Sequence, residues 1–299
     1  MKLIKPYFEI IKQPSGLEGI YKQIELCGRV AYKSEDKITE DSAKEFVERM
    51  IKSKHGAVLE HGAVYLKSEY DVSCLGSWRN SIGYKYNTNK YSKVTLDNCA
   101  DFRGIYITTN MRVLIENGWL DDLKYICEPT EHHEKRVAVR FVCDRGVSHE
   151  FVRHRVFSFV QESTRFCNYS KDKFNNEVTF IAPCWMNIPT DCSYDLFSSA
   201  KTFLIKCSHG DYDGMVTDNC FLHSCLISEQ SYLALLERGW TPQQARSVLP
   251  NSLKTELIMT GFVSDWKHFF ELRTPPNAHP QARELAIPLQ EEFIKRKYI

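Results

Sequence analysis

The sequence predicts an α+β protein built on a small, mostly antiparallel sheet with flanking helices. Segments that alternate like strands fall before residue 183, and segments with helical spacing dominate the remainder. No internal repeat and no low-complexity linker divides the two halves, so residues 1–299 read as one domain. A chain of 299 residues is long enough to bury a substantial core.

Each element has a local pattern behind it. Residues 39–54 read as an amphipathic helix, with Thr39 as N-cap, Ala43, Phe46, Val47, Met50 and Ile51 on one stripe, and Gly56 beyond the end. Gly62–Lys67 and Arg136–Cys143 alternate as strands, the second closed by a turn at Asp144-Arg145-Gly146. Residues 68–134, between them, fit the pattern least and read as an elaboration on the core. The polar run Tyr84–Tyr91 suggests a mobile surface loop, and Ile105–Asn117 suggests a helix stopped by Gly118. Ser148 is expected to cap a helix that carries an arginine-rich segment. Val178–Ala182 is a short strand closed by Pro183. Helices are then expected over Thr190–Cys207, over Val216–Arg238 up to Gly239, and from the Thr241 cap and Pro242 through Val248. Two more run from Ser264-Asp265 to Arg273 and from Pro280 towards Lys297, the last bent near Pro288.

Lys and Arg number 39 against 38 Asp and Glu, so no global field recruits nucleic acid or a membrane. An anion site must come from local clustering of arginines. The N-terminal stretch lacks the apolar run of a signal peptide and no apolar run reaches eighteen residues, so the protein is expected to be cytoplasmic. Eleven cysteines without a CxxC pair read as reduced, small hydrophobes. Cys207, His209, Cys220, His223 and Cys225 cluster without a familiar zinc spacing, so no metal is expected.

The densest chemical signal is Arg153-His154-Arg155 followed by Ser158, Gln161, Ser163, Thr164 and Arg165. Guanidinium groups suit phosphates because the planar fork donates paired, charge-assisted hydrogen bonds and never deprotonates. On a helix Arg153 and Arg155 would point about 200° apart, which favours two ligands or two subunits over one shared phosphate. Ser163-Thr164-Arg165 offers hydroxyls, backbone N–H groups and a cation as a phosphate nest. Taken alone, an RHR tripeptide is more often a solvated basic face; the apolar neighbours Phe151, Val152, Val156, Phe157, Phe159 and Val160 argue for burial instead.

With these residues in hand, the sequence resembles a known family. RHRxxSxxxxSxR is the signature of the flavin-dependent thymidylate synthases, and Arg153–Arg165 matches every fixed position. Glu60-His61, the segment Gln244-Ala245-Arg246 to Pro250, and Trp266–Arg273 resemble further family segments in the right order. The resemblance covers roughly residues 17–66 and 135–299. It implies a homotetramer with shared active sites, in which Arg153, His154, Arg155, Gln161, His268 and His61 lie at or near FAD. It places Glu150, Arg153, Ser163, Thr164, Arg165 and Arg246 on dUMP, and Arg273 at the uracil ring as the catalytic group. NADPH and methylenetetrahydrofolate are the implied co-substrates. Members often carry Asn-Glu where this chain has Val160-Gln161, and Asn where His268 stands. His61 by itself also reads as a strand-end histidine held by structural contacts. Other readings are a related one-carbon transferase, such as a hydroxymethyl transferase, on a pyrimidine nucleotide, a non-catalytic nucleotide- or RNA-binding protein, and a helical structural protein.

Overall fold

The computed structural model describes residues 1–71, 77–97, 102–199, 202–208 and 216–299. Its strands are β1 (Lys2–Ile4), β2 (Tyr7–Ile11), β3 (Ala63–Asp71), β4 (Lys93–Leu96), β5 (Phe102–Asn110), β6 (Arg136–Asp144), β7 (Ser158–Gln161), β8 (Thr179–Ile181), β9 (Cys192–Ser199), β10 (Thr202–Cys207) and β11 (Lys254–Phe262). The longer helices are α1 (Gly16–Tyr32), α2 (Ser42–Lys52), α3 (Arg145–Phe151), α4 (Val216–Glu237), α5 (Val263–Arg273) and α6 (Pro280–Lys295). Three sheets result, ordered β10-β9-β1-β8, β2-β6-β11-β7 and β3-β5-β4. Among the described residues, only the β1–β8 pairing is parallel.

The second of these sheets positions the site. β6 and β11 pair antiparallel along their full length, Lys254 opposite Asp144 and Phe262 opposite Arg136. Alternation gives the pair two unlike faces. Val137, Val139, Phe141 and Cys143 with Leu257 and Met259 form the apolar face. They pack on Trp266, Phe269 and Phe270 of α5 and on Leu285, Leu289 and Phe293 of α6. The opposite face carries Arg136, Arg140, Lys254 and Glu256, and α1 covers part of it through Cys27 and Val30.

Charges on a buried face must be paired. Lys33 donates to Glu256 at 2.8 Å, Arg140 and Lys254 bond the same carboxylate, and Lys254 also reaches Glu162 at 2.8 Å. Tyr169 donates its hydroxyl to Glu162 at 3.2 Å. Burial alone would raise the Glu256 pKa, but Lys254, Lys33 and Arg140 overcome it and hold the group at about 2.

Several expectations need correction. Thr190–Cys207 contains the β9–β10 hairpin in place of a helix: Asp191 takes a positive φ of 60°, and Cys192 and Ser193 then pair with β1. Residues 105–117 divide into β5 and a short helix, Met111–Glu116, because Ile105-Tyr106-Ile107-Thr108-Thr109 favours extended chain and Asn110 caps the helix. Gly118 does end that helix, at φ 68°. The run Tyr84–Tyr91 is only partly a surface loop: Tyr84 and Tyr91 are exposed, but Tyr86 between them is not. Tyr86 is fully buried on the helix Ile82–Asn87, donates to Asp122 at 2.8 Å, and shares a core with Ile20, Ile24, Phe46 and Val47 of α1 and α2. The helix expected over 39–54 begins at Ser42, after Asp41, and leaves Ile51 exposed. β11 and α1 have no counterpart among the sequence-based expectations.

The carboxylate network sets an acid limit on stability. Glu256 titrates near 2 in the fold and about 4.3 when unfolded, so its contribution is complete above about pH 5 and is lost as pH falls towards 2. Glu256→Gln leaves buried cations short of charge and is expected to cost about 3–5 kcal/mol at pH 7. It should also flatten the decline in urea midpoint between pH 5 and 3; parallel declines in both proteins would remove Glu256 as the cause.

Candidate active site

The arginine-rich segment is not helical. Asp144, not Ser148, caps α3 by accepting from the Val147 amide at 2.7 Å, and α3 ends at Phe151. The chain then turns, with His154 N bonding Phe151 O and Phe157 N bonding His154 O, each at 3.1 Å, and enters β7. Arg153 and Arg155 therefore flank an outward turn, while His154 between them points inward and is only 8% exposed. The 200° separation expected on a helix does not apply. Nor does burial of the arginines: Arg153, Arg155 and Arg165 are exposed in the single chain. Gly261 on β11 makes the turn possible, because a Cβ there would come within 2.5 Å of the Phe157 ring.

Two groups of side chains form around β7. In the first, Arg273 at the end of α5 donates Nε–H to His154 Nε2 at 2.9 Å, Nη1–H to Glu150 Oε2 at 2.7 Å and Nη2–H to Glu150 O at 2.8 Å. Burial, then Arg273, His268 and Arg153, push the His154 pKa down to about 4, so the imidazole is neutral. His268 is exposed, with Nδ1 3.2 Å from Glu271 Oε2. Gln161 ties β7 to α3 and β11, donating to Ser148 of α3 at 2.9 Å and to Thr255 at 3.1 Å.

The second group is the loop after β7. Glu162 N bonds Glu256 O at 2.8 Å and Ser163 N bonds Ala31 O at 2.9 Å, which pins Ser163-Thr164-Arg165 between β11 and the end of α1. Arg246 donates to Thr164 Oγ1 at 3.0 Å. Two of the residues expected on one phosphate are therefore in contact. Among the described residues, no side chain or carbonyl bonds the guanidinium of Arg153, Arg155 or Arg165; that of Arg165 lies over the Phe166 ring, 5.4 Å from its centroid.

His61 is not part of either group. It is buried, its Nδ1 is 2.8 Å from Thr260 Oγ1, and burial followed by the charge of Arg136 lowers its pKa to about 3. That contact ties it to β11. Ser158 likewise has a structural partner, accepting from Arg136 at 3.2 Å. Sequence reasoning missed Arg136, Ser148, Thr255 and the Lys254–Glu256 pair. Charges at alternate positions inside apolar strands, as in RVAVRFVC and KTELIMTGF, were the available signal.

A cavity of about 730 Å³ borders the first group, lined by Asp144, Glu150, Trp185, Phe221, His279 and Gln281 among others. No lysine or arginine lines it among the described residues, so it does not suit a phosphate. Of the cysteine and histidine cluster, Cys225 is buried, Cys220 is exposed and His209 lies outside the described residues. No helix among the described residues is long and apolar enough to cross a membrane.

Mixed sheets and helices thus carry three exposed guanidiniums, of Arg153, Arg155 and Arg165, on the turn before β7 and the loop after it, with Arg246 tethered to Thr164. Residues 126–296 match the family described as thymidylate synthase complementing protein, and the chain belongs to that family. A flavin-dependent thymidylate synthase of Pyrococcus furiosus is 30% identical over 154 residues, 52% of this chain and 52% of that protein. A protein of the same description from Corynebacterium diphtheriae is 32% identical over 167 residues, 56% and 59% of the two chains. The chain thus spans about half the length of the curated relatives it matches. Among solved structures, a UMP/dUMP methylase from Streptomyces cacaoi aligns over 99% of this chain and 93% of its own at 18% identity and a TM-score of 0.42, too loose a likeness to carry a reading of the site.

If Arg246 and the Thr164 loop form one anion site, Arg246→Ala is expected to weaken binding of inorganic phosphate or a nucleotide monophosphate by about ten- to a hundredfold, as loss of a charged hydrogen bond implies. Calorimetric titration checks this, and an unchanged affinity would exclude Arg246 from the site.

Proposed function

We propose that this protein methylates dUMP to dTMP, with methylenetetrahydrofolate as carbon donor and FAD, reduced by NADPH, as the redox cofactor. The observation that carries the reading is the set of three unbonded guanidiniums, of Arg153, Arg155 and Arg165, together with a fourth, Arg273, held in fixed orientation by Glu150 and His154. Free cations on an otherwise charge-balanced chain fit a ligand set with several phosphates.

In this reading Ser163, Thr164 and Arg165, with Arg246, hold the nucleotide phosphate. Arg153 and Arg155 face the flavin, with Gln161 and His268 at its edge. The donor set fits: exposed guanidiniums without counter-ions suit a pyrophosphate, and an amide and an imidazole suit a polar ring system. Reduced flavin, when bound, supplies the reducing equivalents that a methyl group at C5 requires. Arg273, with Glu150 beside it, faces the uracil and stabilises negative charge developing on its oxygen or N3. Cys167, the cysteine nearest the arginine segment in sequence, is a poor nucleophile for the ring. It is buried, and its thiol pKa is pushed up to about 12 by burial and by Glu162.

The exposed apolar side chains of Val156 and Phe166, on the same turn and loop as the free cations, and of Leu272 beside Arg273 support a second copy covering these segments. A cytoplasmic homotetramer with shared sites, and no nucleic-acid or membrane partner, completes the reading. The chain acts as one catalytic unit, with residues of about 68–134 as an elaboration atypical of the family.

The visible spectrum of the purified protein should show flavin that bleaches with NADPH, and product mass should show a methyl, not a hydroxymethyl, group. Arg273→Ala is expected to keep its flavin and lose about 10²–10³ in kcat. Undiminished thymidylate formation would exclude the role given to Arg273.

A further inference from the structure

Arg273 is held by two residues of quite different character. Glu150 supplies a carboxylate and its own carbonyl, while His154 supplies a neutral nitrogen lone pair. An imidazole whose Nε2 accepts carries its proton on Nδ1. Phe269 lies against the His154 ring at 5.1 Å and Phe157 at 6.3 Å, so the imidazole has aromatic walls that restrict its rotation. These three bonds use Nε–H and one N–H on each terminal nitrogen of Arg273, which leaves one N–H on each terminal nitrogen for a ligand.

We infer that His154 is a positioning residue for Arg273, fixing the direction of the guanidinium through Nε, and that this is its main part in the reaction. The inference rests on the reading of Arg273 as the group that faces the uracil. A neutral acceptor at Nε sets the plane of the guanidinium without placing a second carboxylate against it. Glu150 already supplies one negative charge, and a further one would weaken the field that Arg273 directs at its ligand. A protonated His154 could not serve, because it has no lone pair at Nε2 and would repel the guanidinium.

The test compares His154→Gln, whose amide oxygen can accept at the same reach, with His154→Leu, which cannot, each alone and combined with Arg273→Ala. Urea unfolding, dUMP affinity by calorimetry and steady-state kinetics are read for all. The expected result is that His154→Leu lowers kcat at least tenfold with a change in KM for dUMP of less than threefold. His154→Gln should stay within threefold of the parent. In the Arg273→Ala background, His154→Leu should add less than a twofold change in kcat or in KM for dUMP. Equal losses in both backgrounds, or a Gln variant as impaired as Leu, would overturn the inference. If the parent protein carries no flavin and forms no thymidylate, the enzymatic reading falls on its own. The urea cycle then still decides the contact, since additive shifts in midpoint would show that His154 and Arg273 do not act together.

Discussion

The shared carboxylate of Glu256 is the interaction on which the arrangement of the site depends. Three cations from three parts of the chain converge on it: Lys33 just past α1, Arg140 on β6 and Lys254 on its own strand. Such a group is tolerated inside a protein only when every charge has a partner, so the elements that bring the partners cannot drift apart separately. Glu162 joins through Lys254 and Tyr169, and the next three residues are the Ser163-Thr164-Arg165 loop. The loop that offers hydroxyls and a cation is therefore anchored by its immediate neighbour. The other half of the site comes from the apolar face of the same sheet, where α3 and α5 rest on Phe141 and Leu257 and bring Glu150 and Arg273 together. β7, at the sheet edge, serves both faces: Gln161 turns to α3, and Ser158 turns to Arg136.

Chemistry was more legible in the sequence than geometry. The clustering of Arg153, Arg155 and Arg165 with Ser163 and Thr164 needed only residue types and spacing, and the Arg246 contact to Thr164 agrees with it. Strand β6 and helix α4 were also readable, the first as a run of β-formers with charges only at Arg136, Arg140 and Asp144, the second as a long run without proline or glycine up to Gly239. Residues 192–193 are held as strand by pairing with β1, which a reading of local pattern alone does not supply, and in residues 105–110 the β-branched and aromatic run was passed over for a helical spacing. β11 was hidden because its charges, Lys254 and Glu256, read as surface when two of the partners of Glu256, Arg140 and Lys33, lie more than a hundred residues away. The helix expected through Arg153 broke for a tertiary reason: His154 turns inward against Phe269, far away in sequence, while Arg153 and Arg155 stay outward.

The free guanidiniums of Arg153, Arg155 and Arg165 have a kinetic consequence. Formal net charge over the whole chain is only +1, so an anion in solution feels little of the protein at long range. The positive charge of each guanidinium is screened within roughly 8 Å at physiological ionic strength. Capture of a phosphorylated molecule by these side chains is then a short-range event, whose reach contracts as salt is added.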